Sequence, residues 1–449
     1  MAICTYCSLL CEFHPSESLA CSLRSQILSR DSSEDVPPVP RVEGRETTFD
    51  EAISTANQLL GDRNRSHISG AIRSVATARA VLSFASRVGA YVDPMGSDDA
   101  FKTILAIQRQ GMMTASMSEV RFRSDCIVLI GDDRLLQSFP RLIEVLLQRP
   151  KGSSQIARRR IIALGPWTSE AVARLRNAGL DVSNIDIEVL SIPQSLFQWS
   201  RCNEESISKS SNIVSRWLCE ARYLSLVWSA TLLNQPQADL WIERLFQWIV
   251  QRNNSHRCVG LPLSGGYVTF QQVCTWITGF PGRVLIDGDA FTYDPYRNLF
   301  SDQASNEQSS PNETVSGSAL AAGSAVQQFD APSVFLKPVP SAIGSHSNNF
   351  IERGRGFVRL RIDETTIADE SAAGLQQSTI VIAPKLHDRN PMPRVFIPCS
   401  VAGIDQPATF FRADAAVAIE AMDCQINSST KHSLSVTTIL ERLGVSKVC

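Results

Sequence analysis

The stretch Asp125-Cys-Ile-Val-Leu-Ile130-Gly131-Asp132-Asp133 sets the fold class of this 449-residue chain. Five apolar residues in a row predict a strand that is buried on both faces. A strand with one face in water would alternate apolar and polar residues, whereas parallel strands covered by helices on both sides are apolar throughout. A glycine and two aspartates end the run. The sequence therefore predicts a parallel sheet packed between helices.

Strand and helix patterns alternate on both sides of this stretch. The alternation predicts an α/β protein built from two doubly wound, Rossmann-like units. The predicted strands are 67–72, 90–93, 125–130, 158–164, 223–228, 257–262, 333–337, 378–383 and 394–398, and the predicted helices are 22–30, 48–60, 75–89, 101–111, 135–148, 237–253, 267–278 and 436–443.

Three regions follow from the composition along the chain. Residues 1–46 are a cysteine-rich N-terminal segment and a linker that contains three prolines, which prevent a continuous helix. Residues 47–200 are predicted to form a first α/β domain and residues 201–449 a second. A segment rich in Ser, Asn, Gln and Gly, at about 301–325, lacks apolar periodicity and is predicted to be an insertion in the second domain.

Charge and hydropathy exclude several classes of protein. The formal net charge is -2, which gives no reason to expect nucleic acid or an anionic membrane surface as a partner. No apolar run approaches the roughly 18 residues that a membrane span needs, and the N-terminus lacks the pattern of a secretory signal. The twelve cysteines are expected to be reduced thiols in an intracellular chain. We expect a cytoplasmic protein.

Four cysteines near the N-terminus carry the strongest chemical signal. Cys4, Cys7, Cys11 and Cys21 follow one another closely enough to converge on one centre, and soft thiolates suit zinc or an iron-sulfur cluster. Zinc more often uses two separated C-x-x-C pairs, so three close cysteines with a fourth further on favour [4Fe-4S]. Buried thiols without a metal are the alternative. The six histidines are scattered and show no metal-binding spacing.

The order of several stretches resembles one family. The N-terminal cysteines, followed by Ala115-Ser-Met-Ser-Glu119 and the strand that ends at Gly131, resemble the pterin-binding subunit of formylmethanofuran dehydrogenase, a molybdopterin oxidoreductase. Ile397-Pro-Cys-Ser-Val-Ala-Gly403-Ile-Asp405, with Thr409 and Arg412-Ala-Asp414 after it, is similar to a signature of the same subunit.

A further stretch resembles a narrower group. Cys274-Thr-Trp276-Ile-Thr-Gly279, with Asp294-Pro-Tyr-Arg297 downstream, is similar to the counterpart of that subunit in the bacterial formyltransferase/hydrolase complex, the non-redox relative of the dehydrogenase. The resemblance covers almost the whole chain. It implies the fold of the central domains of molybdopterin oxidoreductases. It also implies a complex that moves a formyl group from formyl-tetrahydromethanopterin to a methanofuran-type carrier and hydrolyses it to formate.

The resemblance implies partners that carry this chemistry. They are a zinc amidohydrolase-like subunit, a formyltransferase subunit and one further subunit of the same complex. The chain would then be a non-catalytic structural subunit in one-carbon metabolism. The alternative is a redox-active subunit of formylmethanofuran dehydrogenase with a molybdenum or tungsten pterin and [4Fe-4S].

One departure from the redox family separates these two functions. The loop that matches its metal-ligand loop is Pro94-Met-Gly-Ser-Asp-Asp-Ala100, which contains neither cysteine nor histidine. Asp99 lies near the ligand position, and aspartate replaces the thiolate in some relatives. The fourth cysteine also comes sooner than in the redox family. The changed loop argues against a molybdopterin or tungstopterin site and favours the structural role.

Overall fold

A computed structural model of the chain describes residues 2–14, 21–25, 38–61, 66–148, 159–200, 213–229, 238–293, 358–363, 379–386, 392–421 and 434–444. Residues 98 and 99 are described in their backbone only. The predicted strand at 333–337 and the predicted insertion at 301–325 lie outside these residues. All elements below belong to one unit of the chain, formed by residues 1–297 and 357–449.

The apolar run at 126–130 forms the central strand of a parallel sheet, as predicted. Within the described residues this sheet has five strands, and every neighbouring pair is parallel. In spatial order they are β11 (Arg257–Leu263), β10 (Tyr223–Ser229), β7 (Cys126–Ile130), β8 (Arg160–Leu164) and β9 (Asp181–Ile185).

Successive residues of β7 enter two different cores. Ile127 and Leu129 belong to one apolar cluster, whereas Cys126, Val128 and Ile130 belong to another. All five side chains are buried. Because neither face of the strand meets water, no polar residue interrupts the run.

A second, mixed sheet contains nine strands in the described part of the chain. Its five central strands are parallel, and antiparallel strands complete both sides. In spatial order they are β13 (Ala290–Tyr293), β12 (Val284–Asp287), β6 (Ala90–Val92), β5 (Ser66–Ser69), β14 (Val358–Ile362), β15 (Ile380–Ala383), β16 (Val395–Pro398), β3 (Arg41–Val42) and β4 (Arg45–Glu46).

Two short hairpins lie outside these sheets. Strands β1 (Ala2–Ile3) and β2 (Glu12–Phe13) pair at the N-terminus, and β17 (Ala408–Phe411) pairs with β18 (Ala418–Ala421). Both larger sheets take strands from each side of residue 200. The domain boundary predicted there therefore does not separate the two sheets.

Helices connect the strands. Their bounds are α1 (Phe49–Gly61), α2 (Val75–Val88), α3 (Ser97–Gln110), α4 (Met117–Arg123), α5 (Arg134–Ser138), α6 (Ser169–Asn177), α7 (Ile192–Trp199), α8 (Ile213–Glu220), α9 (Ala238–Arg252), α10 (Val268–Thr278) and α11 (Val436–Arg442). None of the helices described here combines the length and hydropathy needed to cross a bilayer.

Helix α2 shows how local sequence sets the ends of these elements. Ser74 accepts a hydrogen bond from the Thr77 backbone NH, 3.2 Å away, and so caps the first turn. Gly89 ends the helix with φ 69°, a left-handed conformation that favours glycine. The helix predicted at 75–89 is thus confirmed.

The helix predicted at 135–148 is not continuous. Pro140 cannot donate a backbone hydrogen bond, and the segment divides into α5 and a π-helix, Ile143–Leu147. The buried guanidinium of Arg159 donates to the carbonyl oxygens of Leu146 (3.0 Å) and Leu147 (2.9 Å). A charged group from a distant position therefore satisfies the carbonyls at the end of this short helix.

These elements confirm the α/β class predicted from the sequence. The doubly wound arrangement of two Rossmann-like units stays a prediction.

Candidate functional site

A hairpin brings three of the four predicted cysteine ligands together. Strands β1 and β2 pair Ala2 with Phe13, and the Cys4 backbone NH donates to the Cys11 carbonyl oxygen at 2.9 Å. Cys7 lies in the turn between them, where Leu10 takes a left-handed φ of 50°. Cys4 directly follows β1 and Cys11 directly precedes β2, so the two lie opposite each other in the hairpin.

All four thiols lie within electrostatic range of one another. Cys4, Cys7 and Cys21 each raise the pKa of Cys11, although burial is the larger cause of that shift. Burial also raises the pKa of Cys4 and raises the pKa of Cys7 to about 12. None of the four forms a disulfide, whereas Cys219 is disulfide-bonded, so the expectation that all twelve cysteines are reduced is wrong. The structure therefore brings the predicted set to one place as free thiols, with Cys4, Cys11 and Cys21 buried and Cys7 partly buried.

Four cysteine thiolates could serve two kinds of metal centre, a zinc site or a [4Fe-4S] cluster. In the described part of the chain, no group of three or more His, Cys, Asp or Glu side chains is arranged to hold a metal ion. Four sulfurs sharing one zinc would lie about 3.8 Å apart, from a Zn–S distance of about 2.3 Å. In a [4Fe-4S] cluster each cysteine binds its own iron, so the sulfurs lie further apart. Four thiols within electrostatic range of one another are the donor set that either centre would use.

The cysteine hairpin is anchored to the carboxyl end of the parallel sheet. Ser264 follows β11, and its carbonyl oxygen accepts a hydrogen bond from the Ser8 hydroxyl at 2.6 Å. The Ala413 NH donates to the Ser8 carbonyl oxygen at 2.8 Å, and the Ser264 NH donates to the Ala413 carbonyl oxygen at 3.0 Å. The carboxyl ends of parallel strands are where α/β proteins place ligands.

The loop at 399–405 packs directly on the hairpin. An added methyl group at Gly403 would lie 2.8 Å from the Thr5 side chain and 2.8 Å from the Phe410 ring. Asp405 closes the loop by accepting from the Val401 NH at 2.7 Å. Residues of the stretch 397–405 therefore shape a close contact with the cysteine segment.

The stretch Arg412-Ala-Asp414 contacts the N-terminus of helix α4. Asp414, whose side chain is fully buried, accepts from the Met117 NH at 2.8 Å and pairs with Arg412 at 2.7 Å. Its carboxylate thus stabilises the N-terminus of α4.

Arg73 connects the cysteines with a cleft. Its charge acts on Cys7, and its Nε atom lies 2.8 Å from the position of a methyl group added at Gly266. The next residue, Tyr267, packs on the loop at 94–100, because a methyl group at Gly96 would lie 2.5 Å from its ring. The glycines thus permit direct contact between these layers.

The cleft lies beside residues 94–100, where the structure corrects the predicted loop, because helix α3 already begins at Ser97. Arg283 lines it and pairs with the buried Asp93, with Arg283 Nε 3.6 Å from Asp93 Oδ1. Ser97 donates to the same carboxylate, and the Arg283 guanidinium lies 5.3 Å from the centre of the Phe101 ring. The cleft encloses about 270 Å³, including space open to solvent. Asp99 is on helix α3 near this cleft, but its side chain lies outside the described atoms.

The charged residues around the cysteines and the cleft were not predicted from the sequence. The charges of Arg24, Arg73 and Arg141 act on the thiols, and Arg283, which pairs with Asp93, lines the cleft. Only Arg24 carries a local signal, because it follows Cys21 by three positions in the same helical turn. The others are distant in sequence.

The fold of this chain resembles that of one chain in a solved complex. A scan against protein-family models and a search of the curated proteins find no match. Among solved structures, the chain is similar to one in a crystal structure of the formyltransferase/hydrolase complex (FhcABCD) from Methylorubrum extorquens, in complex with methylofuran. The TM-score is 0.63 and the identity 18%, over 90% of this chain and 98% of that chain. At this identity the likeness shows a shared fold.

Proposed function

We propose that the chain is a structural subunit of a formyltransferase/hydrolase complex in one-carbon metabolism, the counterpart of the pterin-binding subunit of formylmethanofuran dehydrogenase. The complex would transfer a formyl group to a methanofuran-type carrier and release formate. The likeness over 90% of the chain to a component of such a complex is the observation that carries this proposal. The chemistry would belong to an amidohydrolase-like zinc subunit and a formyltransferase subunit, with one further subunit beside them.

The cleft supports a subunit without its own pterin centre. Its lining contains neither cysteine nor histidine, and Phe101 and Tyr267 fill the space beside the loop at 94–100. Among the described residues that line it, Arg283 is the one charged group that could meet a pterin diphosphate. The residues of this cleft therefore do not fit a molybdopterin or tungstopterin.

An alanine variant of Asp99 tests this proposal. The variant is coexpressed with the partner subunits, and formate release is measured together with assembly by size-exclusion chromatography. We expect formate release close to that of the unmodified complex, because Asp99 binds no metal in this account. Asp98→Ala serves as the matched control on the same helix. A large loss in Asp99→Ala alone, with assembly intact, would contradict the proposal.

The converged cysteines favour one part of the redox alternative. We infer that Cys4, Cys7, Cys11 and Cys21 hold a [4Fe-4S] cluster, because four free thiols that follow one another closely in sequence are the donor set that suits it. Such a cluster would supply one-electron chemistry or would fix the N-terminal hairpin. Iron analysis after anaerobic purification tests it, and a wild-type chain without iron or visible absorbance would end it.

A further inference from the structure

An exposed aromatic side chain lies at the amino end of the five-stranded parallel sheet. Phe122, in the last turn of helix α4, is 62% exposed. Arg123 follows it and is more exposed still, and Ser124 and Asp125 then lead into β7. A single exposed apolar residue needs no partner in itself. The surroundings of Phe122 therefore decide its role.

Glu119 connects this helical turn with the neighbouring strands of the sheet. It precedes Phe122 and Arg123 by three and four positions, so the three residues are neighbours on α4. Its carboxylate accepts a hydrogen bond from the hydroxyl of Tyr223, the first residue of β10, at 2.6 Å. Arg257, the first residue of β11, lies directly opposite Tyr223 and therefore shares a face of the sheet with it. We call these neighbouring residues the amino-end surface.

Two arginines of this surface form no ion pair within the described residues. They are Arg257 and Arg222, which directly precedes β10, and both are exposed. Arg123 pairs with Glu119, but the N···O distance is 3.7 Å and 69% of the Arg123 side chain is exposed. Exposed pairs of this kind contribute little to stability. The arginines are therefore open to a negatively charged partner.

The carboxylates beside these arginines are already engaged. Asp125 accepts from the backbone NH groups of Arg222 and Tyr223 at 2.9 and 3.1 Å, so it is directed at the start of β10. At the start of β8, Arg160 and Glu220 pair at 2.8 Å and add no net charge. Positive charge therefore predominates around the exposed aromatic ring.

We propose that the amino-end surface docks a partner subunit of the complex, through an acidic segment that carries an apolar side chain for Phe122. Aromatic residues and arginine are enriched at protein interfaces and dominate their binding energy. The arginines without an ion pair complement carboxylates. Glu119 and Asp125 lie among them and would repel the continuous phosphates of a nucleic acid, so a protein segment fits better. This inference rests on the proposed role of the chain in a complex.

Surface plasmon resonance on the full chain tests this docking. The chain is immobilised, and the purified partner subunits are passed over it at low salt and again near 1 M salt. The variants are Phe122→Ser, Arg257→Glu and Arg257→Lys, and circular dichroism checks that each is folded. The matched controls are Leu240→Ser and Arg79→Glu. Leu240 is 49% exposed, and Arg79 is exposed on α2, which packs on the other sheet.

We expect Phe122→Ser to weaken binding at least about tenfold. Arg257→Glu should slow association about tenfold at low salt, because it replaces attraction by repulsion. This difference should shrink near 1 M salt, where the Debye length is about 3 Å. Arg257→Lys and both controls should bind like the wild type. A merely structural role for Arg257 would lower binding equally at both salt concentrations.

Three results would overturn this docking. The first is wild-type binding in both Phe122→Ser and Arg257→Glu, which leaves the proposed role in a complex intact. The second is a labelled DNA duplex that binds the wild-type chain and not Arg257→Glu, which would assign the surface to nucleic acid. The third is a wild-type chain that binds no partner subunit, which would overturn the proposed role as well. If Phe122→Ser does not fold, Arg257→Glu decides.

Discussion

Gly403 is the most informative position for the packing of the cysteine hairpin. Its φ is 78°, so alanine there would adopt a left-handed conformation at a cost of about 1–2 kcal/mol. The added methyl group would also lie 2.8 Å from both Thr5 and Phe410. Overpacking of this kind costs about 1–3 kcal/mol. We therefore expect Gly403→Ala to lower the free energy of unfolding by about 2–5 kcal/mol.

Gly279 separates the two contributions. Its φ of 79° matches that of Gly403, but an added methyl group would meet nothing within 4 Å. Gly279→Ala should therefore show only the conformational cost of about 1–2 kcal/mol. The difference between the two variants measures the contact with Thr5 and Phe410, about 1–3 kcal/mol.

Urea unfolding followed by tryptophan fluorescence gives the two free energies. Hydrogen exchange with mass spectrometry then shows where each variant opens. Peptides from residues 2–14 should lose protection in Gly403→Ala and keep it in Gly279→Ala, because Thr5 lies between Cys4 and Cys7. Equal destabilisation by both substitutions, with unchanged protection of the hairpin, would refute this packing.

Two further variants test other parts of the structure. Arg159→Met should lower the free energy of unfolding by about 3 kcal/mol in urea denaturation, because the buried carbonyls at the end of the π-helix lose a charged donor. The control Arg134→Ala, with 66% of the side chain exposed, should change it by no more than about 0.5 kcal/mol. Similar losses in both variants would contradict this role of Arg159. Burial and the hydrogen bond to Glu119 raise the pKa of Tyr223 to about 12 in the folded chain. Protonated Tyr223 therefore stabilises the folded state fully below the unfolded pKa of about 10, and this contribution to stability is lost as pH rises towards 12. Stability measured from pH 9 to 12 should therefore fall more steeply in the wild type than in Tyr223→Phe, and parallel curves would count against it.

Local sequence predicts most of the strands and helices, but it does not predict the order of the strands within the sheets. The run at 126–130 is visible because both faces are buried, whereas β14 was not predicted although the alternation of its apolar residues with Arg359 and Arg361 is typical of a strand. Sheet order depends on partners far apart in sequence. For example, Val358 of β14 pairs with Ser66 of β5. No pattern within either segment specifies that pairing.

The candidate site likewise has a part that local sequence predicts and a part that depends on tertiary packing. The cysteine set could be predicted because its spacing is local, and the hairpin brings Cys4 opposite Cys11. The arginines around it could not, since Arg73 and Arg141 reach the thiols only through the packing of separate elements. Whether a lone arginine is buried beside a thiol is a property of tertiary structure.

Elemental analysis of the assembly, purified anaerobically with its natural partners, tests the central claim most directly. The measurement is molybdenum and tungsten per chain, with formate release assayed on the same sample. The proposed structural role predicts formate release from the formylated carrier with neither metal above background. About one molybdenum or tungsten per chain would contradict it and would identify a redox-active protein instead.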